Sequence, residues 1–304
     1  MKTKLFSAIL CMMVMAMVGC TDTTSTGDPE KVMDKKAYSK VLTTYDDIYE
    51  FHEGLCCVKK DNKLGFINKK GKEVIPCQFE CRGWYDGVDD FSEGMARFMQ
   101  VDADGNRLYG FINRKGEAAI PATYEMVWSF SNGLARFKKD SKYGFLDQSG
   151  NVAIEPVYEQ AECFSEGLAC VYVKSKSKYG YIDTKGEFAI PATYSDANPF
   201  AEGMAVVRKE DKRFVINQKE EVQFTLPKNH DFYGDHIFHD GLVLVEKEGK
   251  SWDDDRFGYM NAKGEVVIPF IYKEADEFED GVAKVEIDDN EFYIDTKGNV
   301  VTLD

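Results

Sequence analysis

At 304 residues, with 43% hydrophobic and 13% aromatic content, the chain has the composition of a folded protein and not of a disordered one. Its net charge of −15 argues against nucleic acid and bare anionic membrane surfaces as partners, since both are held by basic patches. The length admits two ordinary domains or one repeat array.

The first residues have the pattern of an export signal. Lys2 and Lys4 precede an unbroken small and apolar run from Leu5 to Val18, too short to span a bilayer comfortably. The run ends in Met17-Val18-Gly19-Cys20, which resembles a bacterial lipobox with Met where Leu is usual. That resemblance implies a signal peptide over 1–19 and a lipid on Cys20, anchoring the chain in a membrane. Thr21 follows, not the Asp that holds some lipoproteins at the inner membrane, so an outer-membrane location is expected. Residues 20–37 are expected to comprise the lipidated Cys20 and a polar tether, rich in Thr and Asp at its start, and residues 38–304 the folded domain.

Beyond the tether the chain repeats itself. An aromatic residue, two small or polar residues and a Gly recur at Phe51–Gly54, Phe91–Gly94, Phe130–Gly133, Phe164–Gly167, Phe200–Gly203, Phe238–Gly241 and Phe278–Gly281. The glycines lie 34 to 40 residues apart, which marks a tandem array. After each Gly a short run such as Leu134-Ala135-Arg136-Phe137 has the β-branched and aromatic content of a strand.

A second strand follows, best seen in Lys142-Tyr143-Gly144-Phe145-Leu146-Asp147. Its siblings include Leu64-Gly65-Phe66, Tyr109-Gly110-Phe111, Tyr179-Gly180-Tyr181 and Phe257-Gly258-Tyr259. Both faces carry apolar side chains, so the strand should be covered on both sides. The Gly is expected to let a neighbouring unit's ring lie against bare backbone. Asp or Asn then opens a turn closed by Gly, as in Asp147-Gln148-Ser149-Gly150, because Asx side chains accept backbone N–H bonds and Gly tolerates positive φ. A third strand runs to a Pro, as in Val74-Ile75-Pro76 and Val267-Ile268-Pro269. The connector has an aromatic at each end, as in Tyr124 to Phe130, and its three-residue spacing predicts a single helical turn.

Three places break the pattern. The first unit carries an insertion around Gly83-Trp84-Tyr85-Asp86-Gly87. The fifth has Arg213-Phe214-Val215-Ile216-Asn217 without the strand Gly, lacks the turn Gly at Lys219-Glu220-Glu221, and carries an irregular stretch from Pro227 to Ile237. The sixth has a long acidic hairpin, Ser251-Trp252-Asp253-Asp254-Asp255. The fold these elements predict is all-β: about seven three-stranded meanders in an open curved array, with a closed β-propeller as the alternative.

The combined pattern, [Tyr/Phe]-Gly-[Phe/Tyr]-Ile-[Asp/Asn]-x-x-Gly, Ile-Pro-x-x-Tyr and Phe-x-[Glu/Asp]-Gly-[Leu/Met]-Ala, resembles the WG repeat family, also called KWG repeats, over roughly residues 38–304. The name-giving Trp is replaced by Tyr109, Tyr143, Tyr179, Phe257 or Leu64. The resemblance implies β-rich repeat modules in secreted or surface proteins and no catalytic residues.

Candidate chemistry is sparse. Asp102-Ala103-Asp104-Gly105-Asn106 lacks the later ligands of a calcium loop and reads as a polar hairpin. Asp235-His236-Ile237-Phe238-His239-Asp240 has too few converging ligands for a metal. Six cysteines, Cys56, Cys57, Cys77, Cys81, Cys163 and Cys170, are compatible with disulfides or buried thiols. No GxSxG, HExxH, P-loop or phosphate-binding GxGxxG is present, so neither enzyme activity nor a cofactor is expected. Trp84, Tyr85 and Trp252 lie outside the packing columns and are the candidate ligand-binding residues, since rings on insertions stack on sugars or anchor partners. The function expected is a lipid-anchored envelope module binding a protein or glycan; the alternatives are an envelope hydrolase with an unrecognised acidic site or a purely structural component.

Overall fold

The computed structural model describes residues 29–81 and 87–302. The described residues form seven separate antiparallel sheets, and in each the strands are hydrogen-bonded in sequence order. The third is representative: Met126–Ser131, Leu134–Lys139, Lys142–Asp147 and Val152–Tyr158. Six sheets have four strands; the second, Met95–Val101, Arg107–Asn113 and Ala118–Tyr124, has three, with Val88 bridging to Phe98 at its edge.

The fourth strand corrects the reading of the connector as a helical turn. Met126–Ser131 is extended and pairs with Leu134–Lys139 from Met126↔Lys138 to Ser131↔Leu134, with a bulge between Val127 and Phe130. The bulge puts both Val127 and Phe130 in the core, which reproduces a three-residue apolar spacing on a strand. Likewise Asp47–His52 is extended and pairs with Leu55–Lys60 in the first sheet.

The landmark is a two-residue hairpin with positive φ at both central positions, for example Glu53 (50°) and Gly54 (77°), flanked by the pair His52↔Leu55. All seven copies share this geometry, the mirror-image turn that matches the twist of the flanking strands.

By internal contacts the described residues divide into two compact units, one with those from 29 to 177 and 181–189, the other with 178–180 and 190 onward. In the first, consecutive sheets meet through their ring-bearing faces: Phe66 against Phe91 (4.9 Å between centroids), Phe111 against Phe130 (4.7 Å) and Phe145 against Phe164 (4.7 Å). In the second, Val206 and Val215 pack with Phe232, Phe238 and Val245, and Tyr259 packs on Phe278 at 4.8 Å. Each ring is buried from water by the next repeat, so no sheet completes its core alone.

The outer face of the first sheet has a different cover. Within the segment read as tether, Pro29–Val32 and the beginning of Lys35–Thr44 are helical. Asp34 caps the longer helix by accepting the Ala37 N–H at 2.8 Å, and Met33 and Val41 pack on Phe51, Cys56, Val58 and Ile67. The helix thus supplies the first sheet with apolar cover of the kind that adjoining sheets supply elsewhere.

Candidate functional site

The strand Gly is a close-contact residue, but its neighbour is the third strand of its own sheet and not a ring of another unit. A Cβ added at Gly65, Gly110, Gly144 or Gly258 would lie 2.4–2.7 Å from backbone atoms of that strand. There the third strand bulges at its Pro and then resumes pairing, so that Tyr143 meets Tyr158 and Phe257 meets Tyr272. The Gly admits the bulge, and the bulge returns an aromatic residue to cover the aromatic before the Gly.

The fifth sheet cannot do this. Phe214 stands in the Gly column and Arg213 in the aromatic column. Phe214 pairs directly with Thr225, the third strand stops there (Val222–Thr225), and the chain leaves through Leu226 and Pro227. The position opposite Arg213 stays open. It is a cleft of about 310 Å³ between the fifth and sixth sheets, lined by Arg208, Asp211, Lys212, Arg213, Thr225 and residues from Leu226 to Asp231.

The cleft is basic in an acidic chain. Arg208 lies directly across the strand pair from Arg213, and Lys209 from Lys212, two like-charge pairs of the kind that oppose sheet formation. Arg213 is relieved by Asp231, whose Oδ2 lies 2.6 Å from its Nη1. Arg208, Lys212 and Lys228 have no ion-pair partner among the described residues. Ser195 fixes the backbone here, its N–H and hydroxyl both donating to the Arg208 carbonyl at 2.7 and 3.1 Å. His230 Nδ1 donates to the Lys228 carbonyl (3.1 Å), and its ring lies edge-on to Phe270 at 4.8 Å. Burial, then the Arg213 guanidinium, lowers the proton affinity of nearby His236.

Trp252 begins one short hairpin away. The Glu248 N–H donates to the Asn229 carbonyl of the cleft wall at 2.9 Å, and the hairpin extends from there. Its turn is braced by its own polar groups: Gly249 N–H to Asp255 Oδ1 (2.7 Å), Ser251 Oγ to Asp254 Oδ2 (3.0 Å), and Arg256 Nη1 to the carbonyls of Asp253 and Asp255 (2.9 and 2.7 Å). The indole is 82% exposed on that frame. Trp128, by contrast, lies flat over Arg136 at 4.0 Å, and Arg136 is spent on the Ala161 carbonyl and on Glu162 at 2.9 Å.

Of the residues singled out from sequence, Trp252 is presented to solvent; Trp84, Tyr85 and Cys20 lie outside the described residues. Arg208, Lys212 and Lys228 were not singled out, and the signal for them was the loss of the aromatic–Gly pair at Arg213-Phe214. His239 Nε2 sits 2.8 Å from Asp235, and no set of three metal-ligating side chains converges among the described residues. Cys56, Cys57, Cys77, Cys81 and Cys170 are thiols. Burial pushes Cys56 up to about 12 and Cys57 well above the ordinary thiol value, so neither is a thiolate at neutral pH.

The family model described as WG containing repeat matches residues 42–63, 65–80, 109–143, 143–176, 179–212 and 257–290. No curated protein sequence matches the chain. Among solved structures the chain is similar to Kluyveromyces lactis Hsv2, at 9% identity over 81% of this chain and 87% of that one, with a TM-score of 0.42. It is also similar to a streptogramin B lyase (13% identity, 79% and 89% covered, TM-score 0.35) and to a protein of unknown function from Bacteroides caccae (14%, 73% and 79%, 0.24). The family matches pass over residues 213–256, the stretch that holds Arg213, the loop from Leu226 to Asp231 and Trp252.

Proposed function

The chain belongs to the WG repeat family, and from that membership we propose that it is a non-catalytic binding module of the cell envelope, held to the membrane by lipid on Cys20. Its ligand is a protein or a glycan, taken at the surface that carries Trp252. The observation that carries this reading is the 82% exposed indole on a hairpin braced by its own hydrogen bonds. An aromatic side chain buries some 150–250 Å² of its own surface and loses little entropy when its loop is already fixed. The lipobox-like Met17-Val18-Gly19-Cys20 supports the anchor.

Cross-linking in intact cells followed by mass spectrometry tests the module. The native chain should capture a specific partner or envelope polymer, and Trp252→Ala should lose most of it. No capture by the native chain, together with turnover of an envelope polymer by purified protein, would replace the module with an enzyme. For the anchor, Cys20→Ala should release the protein from the membrane fraction; unchanged retention excludes lipid on that residue.

A further inference from the structure

We propose that the cleft between the fifth and sixth sheets is a binding site for a small oxyanion, the carboxylate or phosphate group of a ligand. Neither the repeat pattern nor the exposed ring calls for this site; it follows from what replaces the repeat at Arg213 and Phe214. The assignment rests on the reading of the protein as a binding module and names the chemistry of one of its subsites.

Three independent features converge. The first is space: about 310 Å³ lies at the small end of small-molecule sites, enough for one charged group and the part of a ligand that bears it. The second is charge. Four cations, Arg208, Lys212, Arg213 and Lys228, face two carboxylates, Asp211 and Asp231, and one of those carboxylates is already paired with Arg213. The excess of two positive charges matches a phosphate dianion or, less completely, a carboxylate.

The third is the cost of the arrangement. Arg208 and Arg213 stand opposed, and Asp231 neutralises Arg213 alone, so Arg208 repels its cross-strand neighbour without an ion-pair partner of its own among the described residues. The third sheet bears no such cost at this register, where Lys138 stands opposite Tyr143. Guanidinium groups suit the role because their planar donors grip two oxygens of a carboxylate or phosphate at once. Lys228 comes from the irregular loop, so the site draws cations from both sides of the cleft.

Calorimetric titration of the full chain in detergent, at constant ionic strength, tests the assignment with glucose 6-phosphate, glucuronate and uncharged glucose. Saturable binding is expected for at least one of the two anions and none for glucose. The stronger anion identifies the group, phosphate or carboxylate. Arg208→Ala removes an exposed side chain with no ion-pair partner, so it should leave the fold intact while weakening anion binding by about tenfold or more; Lys228→Ala should weaken it less. Equal binding of glucose, no binding of either anion through about 10 mM, or unchanged affinity in both variants would overturn the site. A cross-linked partner captured alongside a failed titration removes the oxyanion site and leaves the binding module standing. Anion binding without a captured partner does the reverse.

Discussion

Gly144 and Gly133 are both fixed as glycine, for different reasons that a substitution separates. At Gly144 a methyl group would meet the Ile154 carbonyl oxygen at 2.6 Å, and backbone cannot swing aside as a side chain can. Gly144→Ala should therefore cost about 1–3 kcal/mol through forced displacement of the third strand. Gly133 has open space around it and a φ of 81°, so Gly133→Ala should cost only the left-handed strain, about 1–2 kcal/mol. Urea denaturation measures both, and hydrogen exchange at Val152–Tyr158 should rise in the first variant alone. Equal exchange in the two would mean that the bulge does not depend on the Gly.

His239 gives the molecule a local pH dependence. Its hydrogen bond to Asp235 raises its pKa above the ordinary 6.5, against an opposing effect of burial. A raised folded-state value means that this interaction stabilises fully below pH 6.5 and is lost as pH climbs through the folded pKa. Thermal denaturation should show stability falling across that window, and Asp235→Asn should flatten the fall. An unchanged slope would assign the dependence to other groups.

Among elements, the landmark hairpins do more than join strands. Five of them present a polar side chain at the first turn position that accepts the backbone N–H of the next landmark Gly. In the first compact unit Glu53 takes Gly94 (3.0 Å), Glu93 takes Gly133 (2.8 Å) and Asn132 takes Gly167; in the second, Glu202 takes Gly241 (2.7 Å) and Asp240 takes Gly281 (2.9 Å). The turn geometry makes this possible, since positive φ at the acid points its side chain away from its own hairpin and toward the next. Glu93→Ala should cost about 1 kcal/mol, the net worth of one such bond, and Glu93→Gln, which keeps the acceptor, should cost less. If the two substitutions cost the same, the carboxylate contributes charge and not the hydrogen bond. The acid in the Phe-x-[Glu/Asp]-Gly motif was visible in the sequence, but its partner lies some 40 residues away on another sheet and only the fold identifies it.

At the scale of the molecule, stability should be divided among interfaces between successive sheets. Phe278 packs on Tyr259, and around them lie Leu244, Ile268, Ala283, Val285 and Ile294. Phe278→Ala should destabilise by about 3–5 kcal/mol. In a repeat array the loss is felt first by nearest neighbours. Hydrogen exchange should therefore accelerate in Leu242–Lys247 and Val282–Ile287 while Leu55–Lys60 keeps its protection. Uniform acceleration would mean that the chain unfolds as one cooperative body.

The sequence by itself determined the repeat, its period, its strands and its turns, because each of these is local. Hydrophobic alternation, an Asx side chain within reach of its own backbone and a Gly at positive φ are properties of a few consecutive residues. It also marked the fifth and sixth units as exceptions, which is where the cleft and the exposed ring are found. What it misassigned was the connector, since a bulged strand and a helical turn both place apolar residues three apart and only pairing with the next strand separates them. It also misassigned the partner of the strand Gly, because the third strand's bulge is invisible until that strand is folded back. The cationic cleft was likewise decided by tertiary structure. Arg208, Lys212 and Arg213 share one hairpin, but Lys228 joins them only because the third strand ends early and the chain turns back across the gap. The open space itself is the place where an aromatic pair fails to form, and no single residue encodes that absence.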